Sequence, residues 1–143
     1  GFLLGVKGED DRFYTISKLG SGLTDLQFRE AAKKVEKLKV VKQPKEYVVL
    51  KEEIPDIWVR SSVVVEILAD EITLSTRHTA RSGLSPSVLS SGSKDSGSKT
   101  GAKSGRGYSL RFPRLVRFRD DKNPEDVTTV AEVEGMFKQQ SGK

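Results

Sequence analysis

Cysteine is absent from this 143-residue chain, and histidine occurs once, at position 78. Without thiols there can be no disulfide, thiolate nucleophile or thiolate metal site, and a lone imidazole argues against a His-based zinc site or triad. No metal site is expected. Long apolar runs are missing as well. The segment "GFLLGV" at the start falls far short of the roughly 20 residues a spanning helix needs, and it lacks the basic flank and cleavage pattern of a signal peptide. The expectation is a soluble, intracellular protein with no membrane partner. The chain opens without methionine, straight into a strand-like segment, so it is expected to be part of something longer.

What is present is positive charge and short apolar alternation. The 25 Lys+Arg outnumber the 20 Asp+Glu, for a formal charge of +5, which favours a polyanionic partner. The length suits one domain, residues 1–143.

Alternation predicts strands over 2–6 and 12–19, the second half-buried, joined by an acidic "GEDD" turn. Thr24 and Gln27 form a capping-box pattern. Phe28, Ala31, Ala32, Val35 and Leu38 then recur on one face, predicting a helix over about 25–39. The outer face of that helix and the loop after it carry Arg29, Lys33, Lys34, Lys37, Lys39, Lys42 and Lys45 against Glu30 and Glu36. This is either a solvated lysine-rich face or a nucleic-acid surface.

Four further strand signals, "EYVVL", "DIWVR", "VVVEIL" and "EITLS", follow between 46 and 75. Short strands clustered around one helix imply a small α+β domain or a partly open β-barrel. Residues 85–106 hold eight serines and four glycines and almost nothing to bury, and are expected to form a flexible loop. Within it "GSKTGAKS" imitates a phosphate-binding loop without the required spacing or strand-to-helix context. Strand signals return at 108–112 and 115–119, broken at Pro113. A second capping box, Thr129 with Glu132, then opens a C-terminal helix over about 129–139, with Val130, Val133, Met136 and Phe137 as its apolar stripe.

The densest chemistry lies in "SLRFPRLVRFRDDKNPED", residues 109–126. Arg117 and Arg119 are two apart and should leave one face of a strand, with Leu115 in line and Val116 and Phe118 on the other, apolar face. Guanidinium groups grip phosphate oxygens through paired hydrogen bonds. Arg117 and Arg119, with Lys122 beyond, could therefore clamp a polyphosphate, or form a solvated face with Asp120 and Asp121 as partners. Arg111 and Phe112 join a phosphate-seeking group to an aromatic ahead of a proline, suited to a nucleic-acid groove, although a strand Phe is more often core. His78 reads as a hydrogen-bonded loop residue. Glu66 and Glu71 could work as an acid–base pair, but Glu66 fits better as a buried hydrogen-bonding group at a strand end.

These stretches resemble a known family. "PDIWVRSSVVVEILADEITLSTRHTA" followed by "YSLRFPRLVRFRDDKNPEDVTT" is similar to the C-terminal, oligonucleotide-binding-fold (OB-fold) domain of ATP-dependent DNA ligases, and "GFLLGV" and "FYTISKLGSGLTD" match in order. The resemblance implies a mainly β fold with helices, a partly open barrel of the five-stranded type whose first strand precedes this sequence, and a C-terminal helix. It implies that Arg117, Arg119, Asp121 and Lys122 orient ATP phosphates while a lysine of a separate adenylation domain is adenylated. It also implies that Arg111, Phe112 and Arg114 meet the minor groove of nicked double-stranded DNA. ATP and Mg²⁺ would be bound mainly by the adenylation domain. The compartment would be the nucleus in a eukaryote, or the cytoplasm or nucleoid otherwise. The nucleophile motif K-x-D-G does not occur, "KDSG" at 94–97 being a different order, so this piece alone is expected to be inactive. A ligase-derived nucleic-acid-binding module without adenylation is the alternative. An RNA ligase or capping enzyme shares part of the motif but not "LRFPR" or "HTA".

Overall fold

The computed structural model describes residues 1–81 and 107–141. The serine-rich loop, its phosphate-loop imitation and "KDSG" lie outside them. The described residues are mainly β, with two α-helices.

The first unit is a hairpin, β1 (Phe2–Lys7) against β2 (Phe13–Leu19), turned at Gly8 to Arg12. The strands are not paired evenly throughout. The register shifts between Leu4 and Gly5, where Ile16 is the extra residue, and such a bulge bends and twists the pair. Strand β2 is more deeply placed than simple alternation predicts. Tyr14, Thr15, Ile16 and Ser17 are all buried, because β1 flanks one edge of the strand and β4 (Tyr47–Val48) the other, while residues 78–80 reach the central part. There Thr79 is fully enclosed, giving its hydroxyl to the Val48 carbonyl at 2.7 Å and accepting from the Thr15 amide at 2.9 Å. His78 is buried beside it, with Nδ1 3.2 Å from the Thr15 hydroxyl. Burial lowers its pKa, so this histidine is the expected hydrogen-bonded structural residue.

Helix α1 (Asp25–Glu36) begins at the expected capping box, both bonds of which are made. It ends three residues earlier than periodicity predicts. Lys39–Val40 leave the helix to form β3, paired with β5 (Trp58–Val59), and pairing across the fold outweighs local helical preference there. Its inward face is also narrower than expected. Ala31 is buried, but Ala32 is exposed, and Phe28 lies half open with its ring 5.5 Å from that of Phe2.

Two more antiparallel pairs complete the sheets. Strand β6 (Val65–Leu68) pairs with β9 (Arg114–Phe118), and β7 (Glu71–Ser75) pairs with β8 (Gly107–Arg111). Helix α2 (Val130–Ser141) closes on β7, where the Gln140 amide both donates to and accepts from the Ile72 backbone at 2.7 and 2.8 Å. Val130 and Val133 enter the core with Val6, Tyr14, Ile16, Val48, Ile72, Ala80 and Tyr108, whereas Met136 stays half exposed. Among the described residues, strand hydrogen bonding thus falls into four small sheets rather than one continuous sheet.

Two features lock the remote segments. The Glu53 carboxylate, buried at the end of a 3-10 turn, holds Lys18 at 2.9 Å and Arg77 at 3.5 Å. The hydrogen bond from Lys18 keeps its pKa below the usual value. Gly22 abuts the backbone of Pro113 and Arg114 so closely that a Cβ at this position would overlap the Pro113 carbonyl oxygen.

Gly22→Ala should therefore destabilise the fold by about 1–3 kcal/mol, read as a drop of several degrees in melting temperature. Wild-type melting would show that the corner can shift freely. Because the folded Glu53 is the stronger acid, its contribution is complete above the unfolded pKa of about 4.3 and fades as pH falls through the lower folded value. Glu53→Gln should lower the melting temperature at neutral pH, and the gap should close in acid. A gap independent of pH would place the loss elsewhere.

Candidate functional site

Strands β8 and β9 do not pair with each other. They are joined at a corner, Phe112–Pro113, where the chain passes from the β7 ladder to the β6 ladder. Phe112 adopts a φ of 53° and is 61% exposed. For a bulky residue the left-handed region is costly, on the order of 1 kcal/mol or more, and an aromatic held there faces solvent rather than the core. The Arg111 guanidinium lies over its ring, 5.2 Å from the centroid.

The arginines of this stretch all reach acids. Arg111 and Glu71 face each other across β8 and β7 and pair at 2.9 Å. Arg114 meets Asp70 at 3.0 Å and also donates to the Phe112 carbonyl at 2.9 Å, bracing the corner. Arg117 and Glu66 face each other across β9 and β6 and pair at 2.8 Å, with Arg119 reaching the same Glu66 oxygen at 3.4 Å. Arg119 grips Asp121 with two parallel bonds of 2.9 Å. This last bond pattern holds the Asp121 carboxyl down at about 2 and raises the Arg119 pKa. The hydrogen bond from Arg117 likewise lowers Glu66. Lys122 follows, exposed and without an ion pair among the described residues.

The structure corrects three of the expectations. Glu66 is half exposed and bridges the two arginines instead of being a buried strand-end group. Asp120 turns to Lys34 of α1 at 3.2 Å, so of the two neighbouring aspartates Asp121 alone serves an arginine. Leu115 is buried at 7% while Val116 is exposed at 47%, the reverse of the alternation drawn from Arg117 and Arg119. The cause is a register shift: Glu66 opposes Arg117 and Ile67 opposes Leu115, leaving Val116 as the extra residue of a bulge. One added residue inverts the facing of everything beyond it.

The sequence pattern did not single out Asp70 as a partner, or Gly22 as the residue on which the corner rests. The first depends on which strands pair, and the second on contact between segments about ninety residues apart. The signal in sequence was only the glycine-rich "GSG" ahead of the helix cap. Among the described residues, no group of three His, Cys, Asp or Glu side chains could hold a metal ion, and no helix is long and apolar enough to cross a membrane.

Guanidinium groups resting on half-exposed carboxylates can exchange these for phosphate oxygens, since both anions accept the same paired bonds. This is a mainly β domain with a row of carboxylate-paired arginines along one outer face. The family described as the ATP dependent DNA ligase C terminal region matches residues 1–122, and the chain belongs to it. Among curated relatives, the DNA ligase of Sulfurisphaera tokodaii is 41% identical over 130 residues, covering 91% of this chain and 18% of the relative. The DNA ligase of Pyrobaculum islandicum is 39% identical over 132 residues, covering 91% and 19%, and DNA ligase 1 of Methanosarcina barkeri 34% over 131, covering 92% and 20%. The chain thus spans about a fifth of the length of these relatives.

Since Glu66 competes for Arg117 and Arg119, Glu66→Gln should tighten binding of tripolyphosphate by roughly two- to five-fold, the scale of an exposed pair. Calorimetric titration of the two proteins would check this, and weaker binding by the variant would mean that Glu66 positions the arginines rather than blocking them.

Proposed function

We propose that the chain acts as the OB-fold domain of an ATP-dependent DNA ligase, an enzyme joining 3′-hydroxyl and 5′-phosphate ends through enzyme-AMP and DNA-AMP intermediates. The observation that carries this reading is the Arg117, Arg119, Asp121, Lys122 row, where Arg119 holds a carboxylate with two parallel bonds of 2.9 Å. A phosphate can take the place of that carboxylate with the same geometry.

In this reading the two ends of one stretch do different work. Arg117, Arg119 and Lys122 bring positive charge to the β and γ phosphates of ATP, with Asp121 orienting the Arg119 guanidinium plane beforehand and Glu66 giving way to the phosphates. Fixed cations beside a phosphate leaving group favour its departure. ATP supplies the adenylyl group that passes to the lysine of the adenylation domain. Mg²⁺, like ATP, would be bound mainly by the adenylation domain. Arg111, Phe112 and Arg114 meet nicked duplex DNA in the minor groove, where an exposed ring at a stiff corner can press against the sugar and base edges.

The test combines this chain with the adenylation domain of an ATP-dependent DNA ligase, ATP and Mg²⁺, and follows covalent transfer of AMP to that domain. Wild-type chain should stimulate transfer, and the double variant Arg119→Ala, Lys122→Ala should lose on the order of 100-fold of that stimulation. Equal stimulation by both would refute the phosphate role. Failure of a folded wild-type chain to stimulate would favour a binding module without adenylation.

A further inference from the structure

The unneutralised positive charge lies beside the arginine stretch more than on it. Arg29, Lys33 and Lys37 follow one another at intervals of four residues along α1 and its cap, all exposed and none in an ion pair among the described residues. Gln27, Ala31, Lys34 and Val35 occupy the opposite, inward side. Lys34 shows what a satisfied lysine looks like in this helix, with Asp120 at 3.2 Å, Glu30 at 4.0 Å and the Phe118 ring beneath it. Asp25 one turn before Arg29, and Glu30 and Glu36 on the two flanks, are the acids along the stripe, and none of them makes an ion pair with Arg29, Lys33 or Lys37 among the described residues. Beyond the helix, Lys39, Lys42 and Lys45 are also exposed.

Like charges at i and i+4 oppose helix formation. The helix dipole favours cations in the last turn, which accounts for Lys33 and Lys37 but not for Arg29 in the first half. The stripe is also held rigidly in a definite place. Gly22 abuts Pro113 and Arg114, Gln27 donates to the Leu115 carbonyl at 3.1 Å, and Lys34 reaches Asp120. Helix α1 therefore runs alongside β9 in the same direction, starting at the Phe112–Pro113 corner. From Arg29 to Lys37 the rise is about 12 Å, and each DNA strand offers a phosphate every 3.4 Å or so along the duplex axis. Three cations over that span can meet one strand's backbone.

We propose that the outer face of α1 is a second DNA-contacting surface, carrying the Arg29, Lys33, Lys37 stripe along the phosphate backbone next to the part of the duplex met by the corner. The proposal rests on the DNA-binding reading of the domain and extends it from the corner to helix α1. The contacts are to phosphates, so they add affinity and register without reading sequence.

The test measures binding of the chain to a fluorescein-labelled nicked duplex by anisotropy over a series of KCl concentrations. Each phosphate contact contributes roughly 0.9 to the log–log slope. The triple variant Arg29→Ala, Lys33→Ala, Lys37→Ala should lower the slope by roughly two to three, and Arg111→Ala by about one. Thermal melting of the triple variant should equal or slightly exceed wild type, since these side chains make no ion pair among the described residues and their removal relieves like-charge neighbours, and Arg29→Lys should keep the full slope. A triple variant with the wild-type slope, beside an Arg111→Ala variant with a reduced one, would overturn the helix surface and leave the corner standing. No duplex binding by the folded wild-type chain would sink the DNA reading and this surface together. If a polyglutamate peptide bound wild type as tightly as the duplex and lost affinity equally in the triple variant, the DNA assignment would fall in favour of an acidic protein partner.

Discussion

Four arginines within nine residues, on two consecutive strands and the residue that follows them, each meet a carboxylate, and these pairs arrange the outer face of the domain. Glu71, Asp70, Glu66 and Asp121 fill this role for Arg111, Arg114, Arg117 and Arg119. Two of these pairs are direct cross-strand neighbours, so the ladders that join β8 to β7 and β9 to β6 also set the electrostatics of the outer row. The bulge at Val116 reconciles this with the core. It lets Leu115 turn inward while Arg117 stays beside Glu66.

The same arrangement explains why the corner can carry a backbone conformation that a phenylalanine would not choose. Arg114 donates to the Phe112 carbonyl, the Arg111 guanidinium covers the ring, and Gly22 leaves room for Pro113 to approach the start of α1. Local strain persists where several contacts over-determine it. The helix that stabilises the corner is thereby fixed next to β9, and its outer lysines are fixed with it. One short stretch and one helix therefore present three kinds of cationic group: arginines held on exchangeable carboxylates, an aromatic–arginine corner, and a stripe whose cations make no ion pair among the described residues.

Much of this was legible in residue types and their spacing. Both capping boxes predicted helix starts, at Asp25 and Val130, because a cap is a contact between residues three apart. The strands around Pro113 were equally local, as were Arg119 and Asp121, two residues from one another. Errors arose where distant pairing decided the outcome. Lys39 and Val40 left the helix for β5, β2 became buried on both sides through β4 and residues 78–80, and Glu66 moved from a presumed interior role to one between two arginines.

By itself, then, the amino-acid order determined the family, the helix caps, the positions of the short strands and the concentration of arginine between 111 and 119, since each is a matter of residue type and near spacing. Only the tertiary structure decided which acid meets which arginine, which way Leu115 and Val116 face, and why position 22 has no side chain. These depend on strand register and on the approach of backbones about ninety residues apart. A period-two pattern cannot reveal a bulge before its partner strand is known, because one inserted residue changes the facing without changing the composition.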